Sequence, residues 1–379
     1  MTSLPIINPD ETMPPQAPDA ELASAAPADA LGQTLLEFAR SRGKHPQALR
    51  PVYSALMRGG VGIDLPAPTR VQQEADVIKF CLPVSARDAV ATPFDTESVI
   101  IPMRNYQGMS WHTLCISSQI GCRMGCTFCQ TGRMGLLRNL SAEEIVRQVM
   151  VARRMLGDRG APPPGTDIDR GNISNIVFMG MGEPLDNLDA VTQAIRVLNE
   201  PAGLDFPLSH ITVSTVGRID GIRKLAELKW INLRLAISLN AATDALRQTI
   251  MPINKAMPLA ELQKALLEYP LARKGRFLIE YVLLKGVNDS IDDARLVAQW
   301  CRPLPCVVNV IPYNPQMEAP YETPDDATLV AFLQALKSHG IFAKRRLTQG
   351  RGLMAACGQL GNPAARRVAR AVPSRSVHE

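Results

Sequence analysis

From about residue 110 the sequence alternates, six times in succession, between a short run of apolar and β-branched residues and a longer amphipathic stretch. The runs are TLCISS (113–118), NIVFMG (175–180), HITVST (210–215), LRLAISL (233–239), RFLIEYVLL (276–284) and CVVNVIPY (306–313). Between them stand helical patterns such as SAEEIVRQVMVARRML (141–156), where Ser141 can cap the helix and Glu144 close a capping box. A strand-then-helix repeat calls for parallel strands covered by helices. The expected fold is α/β: a partial (β/α)6 TIM-like barrel with its working face at the C-terminal ends of the strands.

Residues 1–30 are rich in Pro and Ala, acidic, and free of Lys and Arg, the composition of a flexible tail. Residues 31–107 hold two helical patterns and the strand-like runs EADVIKFCLPV and ESVIIPM, and read as a small N-terminal accessory module. Residues 108–350 form the core, and 351–379 a C-terminal segment. The Pro/Gly-rich stretch 157–171 reads as a surface insertion.

With 46% hydrophobic and 20% charged residues over 379 positions, a large buried core is expected. The net charge of +5 permits nucleic-acid binding without establishing it. No apolar run is long enough to span a membrane, and the N-terminus lacks the pattern of a secretory signal. The eight cysteines cluster around one motif, unlike a disulfide framework, so a reducing, cytoplasmic setting is expected; a monomer is expected too.

That motif is GCRMGCTFCQTG, residues 121–132, with Cys122, Cys126 and Cys129 spaced C-x3-C-x2-C. A structural zinc site asks for four ligands, and the next cysteine is Cys301. Three thiolates suit a [4Fe–4S] cluster with one iron left open; zinc and buried free thiols are the alternatives. The segment CRMGCTFC, with aromatic Phe128 before the third cysteine, resembles the signature of the radical S-adenosylmethionine (SAM) superfamily. By that resemblance the open iron binds SAM, and electron transfer into its sulfonium yields a 5′-deoxyadenosyl radical.

Further motifs follow in order: MGMGEPLDN (179–187), STVG (214–217), AISLNA (236–241), MPINK (251–255), IEYVLLKGVND (279–289), IPYNP (311–315) and AACGQL (355–360). Together they resemble the RNA adenine C2/C8 methyltransferases of the RlmN/Cfr type, over roughly residues 90–360. The resemblance implies that Gly182 and Glu183 receive the SAM amino group. Ser214, the segment Ser238, Leu239 and Asn240, and Asn314 would bind the rest of SAM, used twice per turnover. It implies that Cys357 becomes an S-methylcysteine intermediate, that Cys115 removes the ring proton and resolves the adduct through a transient disulfide, and that Glu97 is a proton acceptor. The implied partners are rRNA or tRNA, with C2 favoured over C8, and a reduced flavodoxin- or ferredoxin-type electron donor.

The sequence also departs from that pattern. The N-terminal module is short and lacks aromatic-rich RNA-contacting motifs, Gly352 stands where Asp is usual, and SLNA replaces SLHA. Lys344, Arg345, Arg346, Arg351, Arg366, Arg367 and Arg370 are candidate RNA-contacting charges. A radical SAM enzyme of the same scaffold acting on a small molecule or peptide is the alternative reading. Cys81, Cys301 and Cys306 match no motif and read as core residues.

Overall fold

The computed structural model describes residues 28–60, 62–84, 95–105, 107–157, 173–316, 321–346 and 350–361. Its strands are β1 (Arg70–Glu74), β2 (Val77–Pro83), β3 (Asp95–Arg104), β4 (Ser110–Cys115), β5 (Gln119–Cys122), β6 (Gly135–Asn139), β7 (Ile173–Phe178), β8 (Ile211–Thr215), β9 (Arg234–Ser238), β10 (Phe277–Leu283), β11 (Cys306–Pro312) and β12 (Ala343–Arg345). Ten of them form one sheet in the order β1-β2-β3-β4-β7-β8-β9-β10-β11-β12, and β5 pairs with β6 in a separate ribbon. From β4 to β12 every pairing is parallel. The six strands expected from the alternating pattern all form, and β1 and β12 remain as free edges, so the barrel is partial.

The central strands are buried along most of their length, as helices on their outer side require. Helix Ala142–Met155 begins as expected: the Ser141 side chain accepts from the Glu144 N–H, and the Glu144 carboxylate accepts from the Ser141 N–H at 2.8 Å. Interior side chains from the strands and the covering helices make one large apolar core. Among the described residues no helix is long and apolar enough to cross a membrane.

The expected accessory module is joined to this core. Strands β1 to β3 run antiparallel and continue the main sheet through β3 and β4. Helices Leu35–Ser41 and Pro46–Gly59 place Phe38, Leu49, Tyr53 and Met57 in the same apolar core. Ser54 Oγ donates to the Ala202 carbonyl at 2.5 Å, and Arg58 Nε to that of Gly203 at 2.8 Å. A local sequence pattern shows that a run is extended, not which strand it pairs with, so this union was not visible in advance. Where the expected tail meets the module, Ala28–Gly32 is a 3-10 helix with Ala30 and Leu31 buried. Residues 1–27 and 158–172, which hold all but the first residue of the expected insertion 157–171, lie outside the described residues.

Candidate functional site

The C-terminal ends of β7 to β11 open onto one cleft, whose walls include Cys122, Cys126, Cys129, Gly182, Glu183, Ser214, Ser238, Asn240, Arg346 and Cys357. It encloses about 930 Å³ of space between protein atoms, counting the part that opens to solvent.

The three-cysteine loop is held by the β5/β6 ribbon, where Cys122 pairs with Gly135. Gly121 has φ +73, and a Cβ there would run into the Gly135 carbonyl, so the ribbon closes only around glycine. The Thr127 N–H donates to the Ile250 carbonyl at 3.0 Å, tying the loop to the mouth of the barrel. Cys129 precedes the short helix Gln130–Met134, and the nearby Thr131 and Gly132 backbone N–H groups favour its thiolate form. The Met124 N–H favours the thiolate of Cys122 in the same way. Burial pushes all three thiols up, and the like charge of Cys129 adds to this for Cys122 and Cys126. Among the described residues no three His, Cys, Asp or Glu side chains converge as a formed metal site. The donor set nevertheless fits an iron–sulfur group: three thiols close in sequence line one cleft, packed with Phe128, and neighbouring backbone N–H groups favour their thiolate forms. Binding a metal would offset the burial cost of the thiolates.

Glu183 is 2% exposed. Its carboxylate accepts from the Leu185 N–H at 3.1 Å and the Val216 N–H at 2.9 Å. Burial outweighs these bonds and pushes the carboxyl up to about 7. A cationic amine entering the cleft would return it to the charged form. Gly182, with φ +104, lets the chain pass Gln119 closely; a Cβ there would lie 2.6 Å from the Gln119 Cβ. Behind these strand ends lies Arg247, fully buried. It donates to the carbonyls of Leu239 (3.0 Å), Val216 (2.5 Å) and Ser238 (3.2 Å), and to Asn254 Oδ1 (2.9 Å).

Cys357 lines the cleft and is partly exposed. Cys115, at the end of β4, is buried just behind it, and burial pushes its thiol up to about 12, with the charge of Cys357 adding to the effect. Arg346 stands within electrostatic reach of both thiols and pairs with Glu280 at 3.3 Å. Glu280 in turn accepts from Asn309 Nδ2 at 2.7 Å. Arg346, a candidate RNA-contacting charge, therefore faces the cleft. Lys344 and Arg345 are exposed, Arg345 pairing with Asp326 at 2.9 Å, and Arg351 is exposed too. Arg366, Arg367 and Arg370 lie outside the described residues.

Three expected site residues do not line the cleft itself. The Leu239 side chain is in the main core and its carbonyl is taken by Arg247. Asn314 is buried and donates to the Cys357 carbonyl at 3.2 Å, so it contacts the segment of that cysteine. Glu97 is buried on β3, its carboxylate 2.7 Å from Lys79 Nζ and accepting from the Gly361 N–H at 3.1 Å. Lys79 Nζ also donates to the Met354 carbonyl at 3.0 Å. Glu97 and Lys79 thus grip both ends of the segment that carries Cys357. Asn240 reaches the cleft with its side-chain amide already engaged: Oδ1 accepts from the Val282 N–H at 2.8 Å, and Nδ2 lies 3.2 Å from Met251 Sδ.

A parallel partial barrel with a three-cysteine loop at its strand ends fits the radical SAM class of enzymes. A solved radical SAM methyltransferase from Sphaerobacter thermophilus superposes with a TM-score of 0.76 at 33% identity, covering 87% of this chain and 98% of that one. The chain is 44% identical over 268 residues to the probable dual-specificity RNA methyltransferase RlmN 1 of Protochlamydia amoebophila (strain UWE25), covering 71% of this chain and 70% of that protein. It is 40% identical over 337 residues to the probable RNA methyltransferase sce1580 of Sorangium cellulosum (strain So ce56), covering 85% and 79% respectively. No protein-family model matches the chain. The chain belongs to the RlmN family of dual-specificity RNA methyltransferases.

Proposed function

We propose that this protein transfers a SAM-derived methyl carbon, by way of Cys357, to C2 of an adenosine in rRNA or tRNA. The observation that carries this reading is the juxtaposition of Cys357 with Cys115 beside the three-cysteine cleft. C2 of adenine is not nucleophilic, so direct polar transfer from SAM fails and a covalent relay through a side chain is needed. Cys122, Cys126 and Cys129 would hold the [4Fe–4S] cluster, and Glu183 would receive the amino group of SAM. When bound, cluster and SAM supply the methyl group and a hydrogen-abstracting radical.

Cys357 accepts the methyl group as a thioether and presents it to the adenine ring. Its partial exposure gives the base access, and its fixed carbonyl orients the sulfur. Once the relayed carbon is joined to C2 and the adduct has given up its odd electron, Cys115 would take the ring proton. That proton passes to the methylene carbon as the Cys357 carbon–sulfur bond breaks and the two sulfurs join, and the reduced electron donor returns the disulfide to thiols. Arg346 stabilises negative charge on either thiol. Glu97, gripped by Lys79 and Gly361, acts in this reading by anchoring the Cys357 segment. A reduced flavodoxin- or ferredoxin-type donor, a monomeric state and a cytoplasmic location belong to the same proposal.

The test is anaerobic incubation of reconstituted protein with SAM, reductant and total RNA, followed by nucleoside mass spectrometry. Methylated adenosine together with 5′-deoxyadenosine is expected, the former abolished by Cys357→Ala. Deoxyadenosine without methylated RNA from the unaltered protein would instead favour a small-molecule or peptide substrate.

A further inference from the structure

The segment around Cys357 and the three-cysteine loop touch through one side chain that no motif singled out. Gln316 is almost fully buried, and its Nε2 donates to two carbonyls, Phe128 at 2.5 Å and Gly358 at 2.8 Å. Phe128 immediately precedes Cys129, and Gly358 immediately follows Cys357. Both N–H bonds of one carboxamide are thereby spent on the residues flanking the two cysteines. The Gln316 Oε1 is buried without a partner. A buried acceptor left unmade is costly, so the donor end holds the amide in place. Turning the amide over would set its oxygen against two carbonyl oxygens.

The surroundings are built to the same contact. The Gly358 carbonyl also accepts from the Gln130 N–H at 2.7 Å, and Thr131 Oγ1 donates to the Leu360 carbonyl at 2.6 Å. Gln359 Nε2 donates to the Pro315 carbonyl at 2.8 Å, which fixes the backbone next to Gln316. Gly358 has φ +83, and a Cβ there would lie 3.4 Å from the Phe128 carbonyl and 3.6 Å from Gln316 Nε2. Its positive φ disfavours an L side chain at 358, next to this bridge.

We propose that Gln316 is a positioning residue that sets Cys357 against the Cys129 end of the three-cysteine loop, an inference that rests on reading Cys357 as the methyl acceptor. Glutamine meets the geometry because it reaches both carbonyls with two donors and no charge. Methionine matches its length without donating, glutamate puts oxygen against oxygen, and asparagine falls one methylene short.

The test compares full-length, cluster-free protein with its Gln316→Met variant by N-ethylmaleimide labelling, reading each cysteine peptide by mass spectrometry. Cys306, at the opposite end of β11, reports on global loosening. Labelling of Cys357 should rise about tenfold, the size expected from two neutral hydrogen bonds, while Cys306 stays as in the unaltered protein. In loaded enzyme, the variant should make more 5′-deoxyadenosine per methylated adenosine, because SAM is cleaved without productive use of the methyl group. Cys357 labelling within twofold of the unaltered protein overturns the proposal, as does a parallel rise at Cys306. If Gln316→Met does not fold, Gln316→Asn carries the same comparison. Absence of S-methylation at Cys357 in the unaltered, loaded enzyme would sink the methyl relay, whereas the labelling comparison decides the positioning role separately.

Discussion

Replacing Arg247 with Met removes a fully buried cation whose donors reach three backbone carbonyls and one side-chain oxygen. Those acceptors sit at the ends of β8 and β9 and in the turn beyond, where water does not replace the lost donors. Leaving a buried acceptor unmade costs about 1–3 kcal/mol each, and breaking a buried charged network about 3–5 kcal/mol in total. Two opposing effects reduce the sum. Burial already lowers the guanidinium to about 10, so its removal relieves a desolvation cost, and Met fills much of the vacated volume. We expect a net loss of about 3 kcal/mol, near the low end of that range, measured by equilibrium urea unfolding of the cluster-free protein. Val216, whose carbonyl Arg247 holds, also donates its N–H to Glu183. SAM affinity should therefore fall in the same variant, although Arg247 does not line the cleft. A loss below about 0.5 kcal/mol, the range of an ordinary surface change, would refute the reasoning that Arg247 fastens these strand ends.

Glu183 and Glu97 give further tests. The Glu183 carboxyl is raised from 4.5 to about 7, so its folded form prefers the proton. Its contribution is complete below pH 4.5 and is lost as pH rises to about 7, by about 3 kcal/mol; Glu183→Gln should remove that slope, checked by unfolding at several pH values. If Glu97 anchors the Cys357 segment, then Glu97→Gln and Lys79→Met should each cost about 3 kcal/mol and lower methyl transfer to a similar degree. A proton-acceptor role would instead leave Lys79→Met far more active than Glu97→Gln.

The parts of the fold legible in the sequence were those written in local pattern. The apolar runs from TLCISS to CVVNVIPY marked the parallel strands, because strands buried on both faces need continuous apolar residues. The spacing of Cys122, Cys126 and Cys129 marked one loop, since a three-thiol loop is a local object. Long-range pairing was not legible. The union of β1 to β3 with the main sheet depends on β3 meeting β4, which no run of residues encodes by itself. Arg346 looked like one member of a basic surface run, yet it turns inward to Glu280, a buried acid on β10 that needs a cation. That acid within an apolar strand was the available signal. Gln316 carried none, because an isolated glutamine after IPYNP gains its meaning only from the two carbonyls folded against it.

The most direct test of the methyl relay is expression of the Cys115→Ala variant in cells, with its RNA present, and recovery of the Cys357 peptide after nuclease and protease digestion. Without Cys115 the ring proton stays in place and the bond between base and Cys357 cannot be resolved. A nucleotide mass on the Cys357 peptide, joined through one carbon, is the result predicted, and sequencing the attached RNA would name the substrate. An iron-loaded, SAM-cleaving Cys115→Ala protein whose Cys357 peptide carries no nucleotide would contradict it.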